Sequence, residues 1–330
     1  MLPGADHDRG GRGLPGIGVG TWAWGNQFLW GYDPGQDAEL EDGFHRAVNL
    51  GLRFFDTADS YGTGRFQGRS ESLLGRFTST LTESGRRRLT VATKLAPFPW
   101  RWGRQGLRRA FEASRERLGG KLDRVQHWST SRYAPWQEPA LIEGLADLVE
   151  TGQVAGLGVS NMGPCLLRAV HRQLNRRGIP LLSVQVQMSL LSPEAVETGG
   201  VADVCSELGI DLIGYSPLAL GLLARPPGDL DHCPVGPRGL LFRRMWPRLQ
   251  PLLSAMERMA SGHGGSMAGV ALNWCRSHGA MPIPGLRRCA QVNEAAAALQ
   301  WQLDPAELDE LDHLALNSRC RMPANPFSSS

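Results

Sequence analysis

Eight short, apolar or β-branched segments alternate along the chain with longer amphipathic segments, and this alternation constrains the fold more than any other feature. It is typical of α/β proteins, in which parallel strands are joined by helices. The predicted strands are Ile17–Thr21, Arg53–Asp56, Thr90–Lys94, Asp123–His127, Leu157–Ser160, Ser183–Gln187, Asp211–Tyr215 and Met281–Pro284. The predicted helices are Gln36–Leu50, Ser70–Phe77, Gly103–Leu118, Pro139–Glu150, Pro164–Arg177, Val201–Leu208, Leu249–Ser277 with a break near Gly262–Gly265, and Ala290–Leu299.

The number of strand–helix units predicts a single closed barrel. Eight units without a change of composition favour a (β/α)8 TIM barrel over an open doubly wound sheet, and 330 residues is a common length for one such barrel. We expect a flexible segment at 1–13, the barrel at 14–318 with an extra C-terminal helix at Asp304–Leu316, and a tail at 319–330. The Gly- and Pro-rich segment Ala219–Arg244 has no regular pattern, so we expect a long loop over the C-terminal face.

Composition excludes several functional classes. A net charge of +3 gives no reason to expect a nucleic-acid or membrane partner. The first residues, MLPGADHDRGGRG, contain no apolar stretch, so we expect neither a secretory signal nor a spanning helix, and a cytoplasmic location. The six cysteines form no CxxC pair, which is typical of reduced thiols rather than of disulfides or a metal site. No pattern indicates the oligomeric state.

Four polar residues lie at or near the ends of successive predicted strands. Asp56 and Tyr61 follow the second strand, Lys94 ends the third, and His127 ends the fourth. Each of them alone has an ordinary structural interpretation as a cap, a packing residue or a buried histidine. Because neighbouring strands lie about 5 Å apart, a barrel brings all four to one patch at its C-terminal end.

This patch has the groups needed to reduce a carbonyl. Hydride attack on the carbonyl carbon creates an oxyanion, which requires a proton donor and nearby positive or hydrogen-bonding groups. We expect Tyr61 to be the donor, with Lys94 lowering the pKa of its phenol, Asp56 holding Lys94, and His127 orienting the carbonyl oxygen. The chain has 33 arginines and only two lysines, which fits a role for Lys94 that a guanidinium could not fill.

Other chemistries lack their motifs. The sequence contains no HExxH, GxSxG or GxxxxGK[ST], which argues against a zinc protease, a serine hydrolase and a nucleoside triphosphatase. GIGVG at Gly16–Gly20 is similar to a dinucleotide-binding loop, but its spacing favours the turn that enters a strand. A metal-dependent lyase would need several carboxylates at strand ends, and only Asp56 qualifies.

The segment FFDTADSYGTGRFQGRSESLLGRF resembles the signature of the aldo-keto reductase family. VATKLA, VQHW, LGVSNMG, VQVQMSLL, IGYSPLALGLL and MPIPGLRRCAQVNEA follow in the family's order, so the resemblance covers about residues 14–318 and is nearest in look to the plant-chloroplast and cyanobacterial branch. It implies NADPH-dependent reduction of an aldehyde or ketone to an alcohol, with Asp56, Tyr61, Lys94 and His127 as the catalytic tetrad.

The same resemblance implies a cofactor-binding set. Ser160, Asn161 and Gln185 match positions that bind the nicotinamide carboxamide, and Tyr215 matches the aromatic residue that stacks on its ring. Ser216, Leu218 and Gly221 match the pyrophosphate-binding stretch, while Arg287 and Arg288 match basic residues that bind the adenosine 2′-phosphate. The alternative for these two arginines is an exposed helix approach without a ligand. Trp22 and Gln291 complete the predicted set.

Two positions depart from the family pattern, and two questions stay open. Gln291 stands where many members have Arg, which weakens the preference for NADPH over NADH. Ser129 stands where Pro is usual, which puts the loop after strand four in doubt. An alternative function is a cofactor-binding regulatory subunit with little turnover, because β-subunits of potassium channels share this scaffold. Seven tryptophans cluster after strands one, three and four (Trp22, Trp24, Trp30, Trp100, Trp102, Trp128, Trp136), which indicates either rim packing or an aromatic pocket for a flat substrate.

Overall fold

The computed structural model describes residues 16–96, 98, 101–128, 135–229 and 232–323, with only the backbone of Trp128. Within these residues eight parallel strands form one sheet in sequence order. The expected barrel is therefore confirmed. The strands are β1 (Val19–Gly20), β2 (Phe54–Ala58), β3 (Thr90–Leu95), β4 (Arg124–Trp128), β5 (Gly156–Ser160), β6 (Leu181–Gln187), β7 (Asp211–Tyr215) and β8 (Ala280–Ile283).

The ends of the sheet meet and close the barrel. Gly20 pairs with Gly285, and the backbone N–H groups of Gly18 and Gly20 donate to the carbonyls of Pro282 and Pro284. Gly20 permits this approach, because a Cβ there would lie 2.9 Å from the carbonyl oxygen of Ile283. Closure of this kind removes the free edges that an open sheet would leave.

Helices cover the outside of the barrel. They are α1 (Gln27–Trp30), α2 (Asp37–Asn49), α3 (Arg69–Ser79), α4 (Glu83–Arg87), α5 (Gly103–Arg117), α6 (Glu138–Glu150), α7 (Pro164–Asn175), α8 (Val201–Leu208), α9 (Pro237–Gly262), α10 (Met267–Ser277), α11 (Cys289–Ala297) and α12 (Pro305–Leu316). The expected C-terminal helix is α12, which Asp304 caps in a reciprocal pair with Glu307. No helix in the described part of the chain is long and apolar enough to span a membrane.

The strands carry two different layers of side chains. Because side chains alternate along a strand, Phe55 and Val91 point outward into the large apolar core beneath the helices. Phe54, Ala92 and Ile213 point inward and form a small apolar cluster inside the barrel. The next inward residues toward the C-terminal ends of these strands are polar, and they form the floor of the site described below.

The segment Ala219–Arg244 differs from the expected loop. Ala219–Ala224 is a 3-10 turn, and α9 already begins at Pro237. The sequence predicted this helix only from Leu249 onward and missed its first part, because Pro247 removes a backbone donor and is typical of a helix end. Packing outweighs that loss, since α9 buries an apolar face against α10 and α12. The face consists of Phe242, Met245, Trp246, Leu249, Leu252, Leu253, Met256 and Met259.

Candidate active site

Asp56 and Lys94 form a buried ion pair inside the C-terminal end of the barrel. Lys94 Nζ lies 2.5 Å from Asp56 Oδ2 and donates a second hydrogen bond to the carbonyl of Thr57 at 3.0 Å. Both side chains are 2% exposed. The sequence predicted that β2 ends at Asp56, whereas it continues to Ala58, so Asp56 lies within the strand and faces inward. Because the pair is buried, each charge needs the other, and removing either partner would leave a strongly destabilising unpaired charge.

Tyr61 lies above this pair, at the start of the loop after β2. Its ring centre is 4.9 Å from Lys94 Nζ, and the side chain lines a cavity of about 890 Å³ at the C-terminal end of the barrel. Gly62 shapes the loop, since its φ is 112° and a Cβ there would lie 1.8 Å from the carbonyl oxygen of Phe66. The structure thus brings Asp56, Tyr61 and Lys94 together, as predicted.

The pKa of the Tyr61 hydroxyl differs from the expectation. Burial raises this pKa well above 10, and the carboxylates of Asp56 and Asp59 raise it further. Burial also lowers the pKa of Lys94, against the opposing effect of Asp56. A lowering of the phenol pKa by Lys94 therefore stays a prediction. Tyr61 carries its proton at neutral pH, as a proton donor must.

His127 is not placed where the sequence predicted. Along β4, Gln126 pairs with Lys94 and faces inward, so His127, paired with Leu95, faces the helices. Its Nε2 lies 2.8 Å from Glu138 Oε1 at the start of α6, and both side chains are buried. His127 is absent from the cavity lining in the described residues. The expectation that all four residues share one patch is corrected to three, and the one-residue step of strand alternation is the physical reason.

Gln126 takes the inward position that His127 was expected to occupy. Its Nε2 donates to Asp56 Oδ1 at 3.2 Å, and Gln185 donates to the same oxygen at 2.8 Å. Sequence reasoning missed Gln126. The signal that reveals it is a polar residue at the register position opposite Lys94 on the neighbouring strand.

The ends of β5, β6 and β7 form one wall of the cavity. Ser160, Asn161, Gln185 and Tyr215, the residues predicted to bind the nicotinamide, all line it. Asn161 has a φ of 61°, a conformation that is uncommon outside glycine and is enriched at functional sites. Its Oδ1 accepts a hydrogen bond from the Tyr215 hydroxyl at 2.9 Å, which fixes both side chains.

The predicted pyrophosphate stretch follows β7. Ser216, Leu218 and Gly221 line the cavity, and the backbone of this turn is strained, with a φ of 54° at Ser216 and 60° at Leu220. Within the turn, the backbone N–H groups of Ala219 and Gly221 donate to the carbonyls of Ser216 and Leu218.

Arg287, Arg288 and Gln291 line the same cavity beyond β8. Arg287 Nη1 donates to the Trp30 carbonyl at 3.1 Å, and the Gln291 side chain accepts from the Arg287 backbone N–H at 3.0 Å. Arg288 is 60% exposed and lies 3.2 Å from Glu39. Arg287 is thus the more enclosed of the two guanidinium groups.

Arg238 on α9 is a further cavity residue that the sequence did not indicate, because it lies in the segment expected to be a loop. Its guanidinium lies 4.0 Å from the centre of the Trp30 ring, and the guanidinium of Arg287 lies 5.4 Å from the same centre. Burial lowers the pKa of Arg238 to about 10, and the charges of Arg287 and Arg225 add to this. Its buried Nε has no hydrogen-bond partner among the described residues. Two desolvated cations beside one cavity suit an anionic ligand such as a dinucleotide phosphate.

The predicted aromatic pocket is smaller than the tryptophan count indicated. Trp22 and Trp30 line the cavity and contact each other edge to face. Trp24 is buried and donates to the Leu286 carbonyl, while Trp102 and Trp136 are exposed. Trp100, the Trp128 side chain and Ser129 lie outside the described residues, so their predicted roles stay predictions.

A model of the aldo/keto reductase family matches residues 16–316. The chain therefore belongs to the aldo/keto reductase family, which confirms the family expected from the sequence motifs. Members of this family use NADPH, so the chain is an NADP-dependent oxidoreductase and the expected cofactor is confirmed. The family acts on small-molecule carbonyl compounds.

Relatives and solved structures agree with this assignment. The chain is 44% identical over 321 residues to the chloroplastic pyridoxal reductase of Arabidopsis thaliana, covering 95% of this chain and 86% of the relative. It is 30% identical over 295 residues to the versiconal hemiacetal acetate reductase of Aspergillus parasiticus, covering 81% and 83%. An aldo/keto reductase from Klebsiella pneumoniae, solved with NADP and acetate, shares the fold with a TM-score of 0.72 at 24% identity, covering 94% and 95%.

The first of these relatives also corrects the expected location. The cytoplasmic location expected from the sequence is wrong in light of this relative, which is chloroplastic. The expectation rested on the lack of an apolar stretch among the first residues. That lack argues only against secretory and membrane-spanning signals, because organelle-targeting segments are polar and Arg- or Ser-rich.

Proposed function

We propose that this protein reduces an aldehyde or ketone to an alcohol, with Tyr61 as the general acid and NADPH as the reductant. The observation that carries the proposal is the buried Asp56–Lys94 pair, which lies beneath Tyr61 at the floor of a large cavity. When bound, NADPH supplies the hydride that reduces the carbonyl carbon. The proposed catalytic residues are Asp56, Tyr61 and Lys94, and His127 is left out because it faces α6.

The proposed cofactor site is the wall formed by the ends of β5 to β8. Its proposed residues are Trp22, Ser160, Asn161, Gln185, Tyr215, Ser216, Leu218, Gly221, Arg287, Arg288 and Gln291, all of which except Trp22 lie after β4 in the chain. Arg238 joins them as a second enclosed cation. The fit to a phosphate-bearing ligand rests on Arg238 and Arg287, whose desolvated charges an anion would offset.

Tyr61 and Lys94 together move one proton. As the carbonyl oxygen gains negative charge, the Tyr61 hydroxyl donates its proton to that oxygen, and the product is the neutral alcohol. The negative charge left on the Tyr61 oxygen lies close to the Lys94 ammonium, which stabilises it in a site shielded from water. Asp56 and the Thr57 carbonyl hold Lys94 in place for this step.

The substrate that best fits both the cavity and the relatives is pyridoxal or a similar flat aromatic aldehyde. The 44% identical relative is a pyridoxal reductase. Trp22 is 37% exposed and lines the cavity, where its indole offers a flat surface for an aromatic ring. The alcohol expected from this aldehyde is pyridoxine.

The test is steady-state turnover of NADPH, followed by its absorbance, against pyridoxal and a panel of aliphatic and aromatic aldehydes and ketones. We expect pyridoxal to give the highest kcat/KM of the panel. Turnover of other carbonyl compounds but not of pyridoxal would leave the reductase activity and overturn the substrate. Tight NADPH binding without turnover of any compound would instead favour the cofactor-binding regulatory subunit.

A further inference from the structure

The Asp56 carboxylate receives three side-chain donors in the described structure, and the third has no role in the reaction proposed above. Lys94 donates to Oδ2 at 2.5 Å, while Gln185 and Gln126 donate to Oδ1 at 2.8 and 3.2 Å. A carboxylate can only accept hydrogen bonds, so both glutamines must present their NH2 groups to it. Gln126 therefore acts on Asp56 as a donor.

The barrel provides space for this contact at one specific position. Gln126 pairs with Lys94 on one side and with Gly158 on β5 on the other. A Cβ on Gly158 would lie 3.0 Å from Gln126 Cγ and 2.7 Å from Ser183 Oγ, closer than real Cβ atoms normally approach. The absence of a side chain at Gly158 lets Gln126 occupy the barrel interior and reach Asp56.

Gln126 is an unfavourable residue for this position on stability grounds alone. The side chain is 1% exposed, and its Oε1 has no hydrogen-bond partner among the described residues. A buried acceptor without a partner destabilises a protein, whereas an apolar side chain of the same size would avoid that cost. The position of its NH2 group on Asp56 points to a function that compensates for this loss.

Gln185 supplies the reason why a second donor on Oδ1 is useful. In the proposed function Gln185 binds the nicotinamide carboxamide, yet in the structure its NH2 group is engaged by Asp56. If Gln185 turns toward the cofactor, Asp56 Oδ1 loses its shorter hydrogen bond. Gln126 lies on a different strand, so its contact does not depend on where Gln185 points.

We propose that Gln126 is a positioning residue, which keeps the Asp56 carboxylate oriented toward Lys94 while Gln185 engages the cofactor. The inference rests on the proposed reduction by Tyr61, because Asp56 acts there through Lys94. Gln126 touches neither the substrate nor the cofactor in this scheme.

The first test replaces Gln126 with Met, which has a similar length but no donor. We expect Gln126→Met to lower kcat about tenfold, the equivalent of one hydrogen bond to a charged group, with the Kd for NADPH unchanged within twofold. Gln185→Met should weaken NADPH binding as well. Ser183→Ala is the matched control, since it removes a buried polar group beside Gly158 and should leave kcat within twofold. A Gln126→Met protein with more than half of the parent kcat overturns the proposal.

The second test is a rescue that a merely structural role would not show. In Gln126→Glu a protonated carboxyl can donate to Asp56, whereas an ionised one would repel it and compete for Lys94. We expect kcat of this variant, relative to the parent, to rise at least fivefold as the pH falls through the raised pKa of the new carboxyl. A ratio that stays constant with pH contradicts the proposed donor role.

A third measurement does not depend on turnover and so separates this inference from the proposed function. In a double-mutant cycle of Gln126→Met and Asp56→Leu, neither replacement keeps a hydrogen-bonding group, and the unfolding equilibrium constants of the four proteins give the coupling between the two side chains. We expect coupling of about tenfold or more, even if the parent reduces no tested carbonyl compound. A coupling below twofold means that Gln126 does not hold Asp56, whatever the activity.

Discussion

Asp59 offers a quantitative test of how charge is balanced beside Tyr61. Its side chain is 1% exposed, it accepts a hydrogen bond from the Ala96 N–H at 3.1 Å, and its Oδ2 lies 2.5 Å from Arg101 Nη1. Two effects therefore oppose each other, because burial favours the protonated carboxyl and Arg101 favours the carboxylate. Burial is the larger effect and raises the pKa of Asp59 from 3.8 to about 6.

The sign of the effect on stability follows from this direction. The folded protein holds the Asp59 proton more tightly than the unfolded chain, so Asp59 stabilises the fold fully below pH 3.8 and ceases to do so as the pH rises through 6. A rise of about two pKa units corresponds to about 3 kcal/mol in total. About 2 kcal/mol of it falls between pH 4.5 and 7.5, where unfolding is convenient to measure.

The perturbation is Asp59→Asn, which keeps an acceptor for Ala96 but does not titrate. The free energy of unfolding of the variant minus that of the parent should increase by about 2 kcal/mol as the pH rises from 4.5 to 7.5, because only the parent loses stability over this range. Constant effects of the substitution, including altered packing, cancel because the same two proteins are compared at both pH values. Urea unfolding followed by tryptophan fluorescence at four pH values gives these free energies.

The opposite slope would refute the reasoning. If the parent gains stability relative to Asp59→Asn as the pH rises, the Arg101 ion pair outweighs burial and the pKa of Asp59 is depressed. A flat difference would mean that the two effects cancel. The protonation state of Asp59 should also affect the active site, because the Asp59 carboxylate raises the pKa of Tyr61. Protonation of Asp59 below about pH 6 should therefore lower the pKa of Tyr61 and make it a stronger acid than it is at higher pH.

Three further predictions concern the site directly. Tyr61→Phe should abolish aldehyde reduction while the Kd for NADPH stays within a few-fold, and retention of most of the turnover at neutral pH would show that Tyr61 is not the acid. Lys94→Arg should lower kcat nearly as much as Lys94→Met, since a planar guanidinium does not fit the buried space that the compact ammonium occupies. An active arginine variant would contradict the placement of Lys94. Arg287→Ala should weaken NADPH binding by about ten- to a hundredfold, with a smaller effect for the exposed Arg288→Ala, and NADH binding should hardly change. Titration of the parent with both cofactors is the check, because equal dissociation constants would exclude recognition of the 2′-phosphate.

Much of the fold could be predicted from local pattern, because strands and helices leave different periodicities. All eight strands lie within a few residues of their predicted positions, and the helix at Val201–Leu208 has the predicted bounds. The exceptions have local causes. The start of α9 was not predicted because Pro247 looks like a helix breaker, but the apolar face of α9 packs well enough against α10 and α12 to outweigh the missing donors. Pattern also missed the extension of β2 past Asp56 through Thr57 and Ala58.

The sequence predicted the part of the candidate site whose residues lie on or directly after neighbouring strands. Asp56 and Lys94 meet because their strands are neighbours and their side chains share one face, and Tyr61 follows in the loop after β2. His127 and Gln126 differ by a single step along β4, and that step decides which of them enters the barrel. A strand boundary predicted from sequence to within one residue does not decide which of the two side chains faces inward. Arg238 reaches the cavity from α9, more than 100 residues after β4, so only tertiary structure reveals it.

The two lysines of this arginine-rich chain show which ion pairs depend on the shape of the cation. Lys121 lies 2.7 Å from Asp123 Oδ1, near the start of β4, where partial exposure would let an arginine reach the same carboxylate. Lys94 is different, because Asp56 and the Thr57 carbonyl contact one nitrogen atom at 2.5 and 3.0 Å within a site that is 2% exposed. A guanidinium spreads its charge over three nitrogens and requires a wider, planar space. The geometry around Lys94 therefore selects an ammonium, whose compact charge is also the form best suited to stabilise one oxygen of Tyr61.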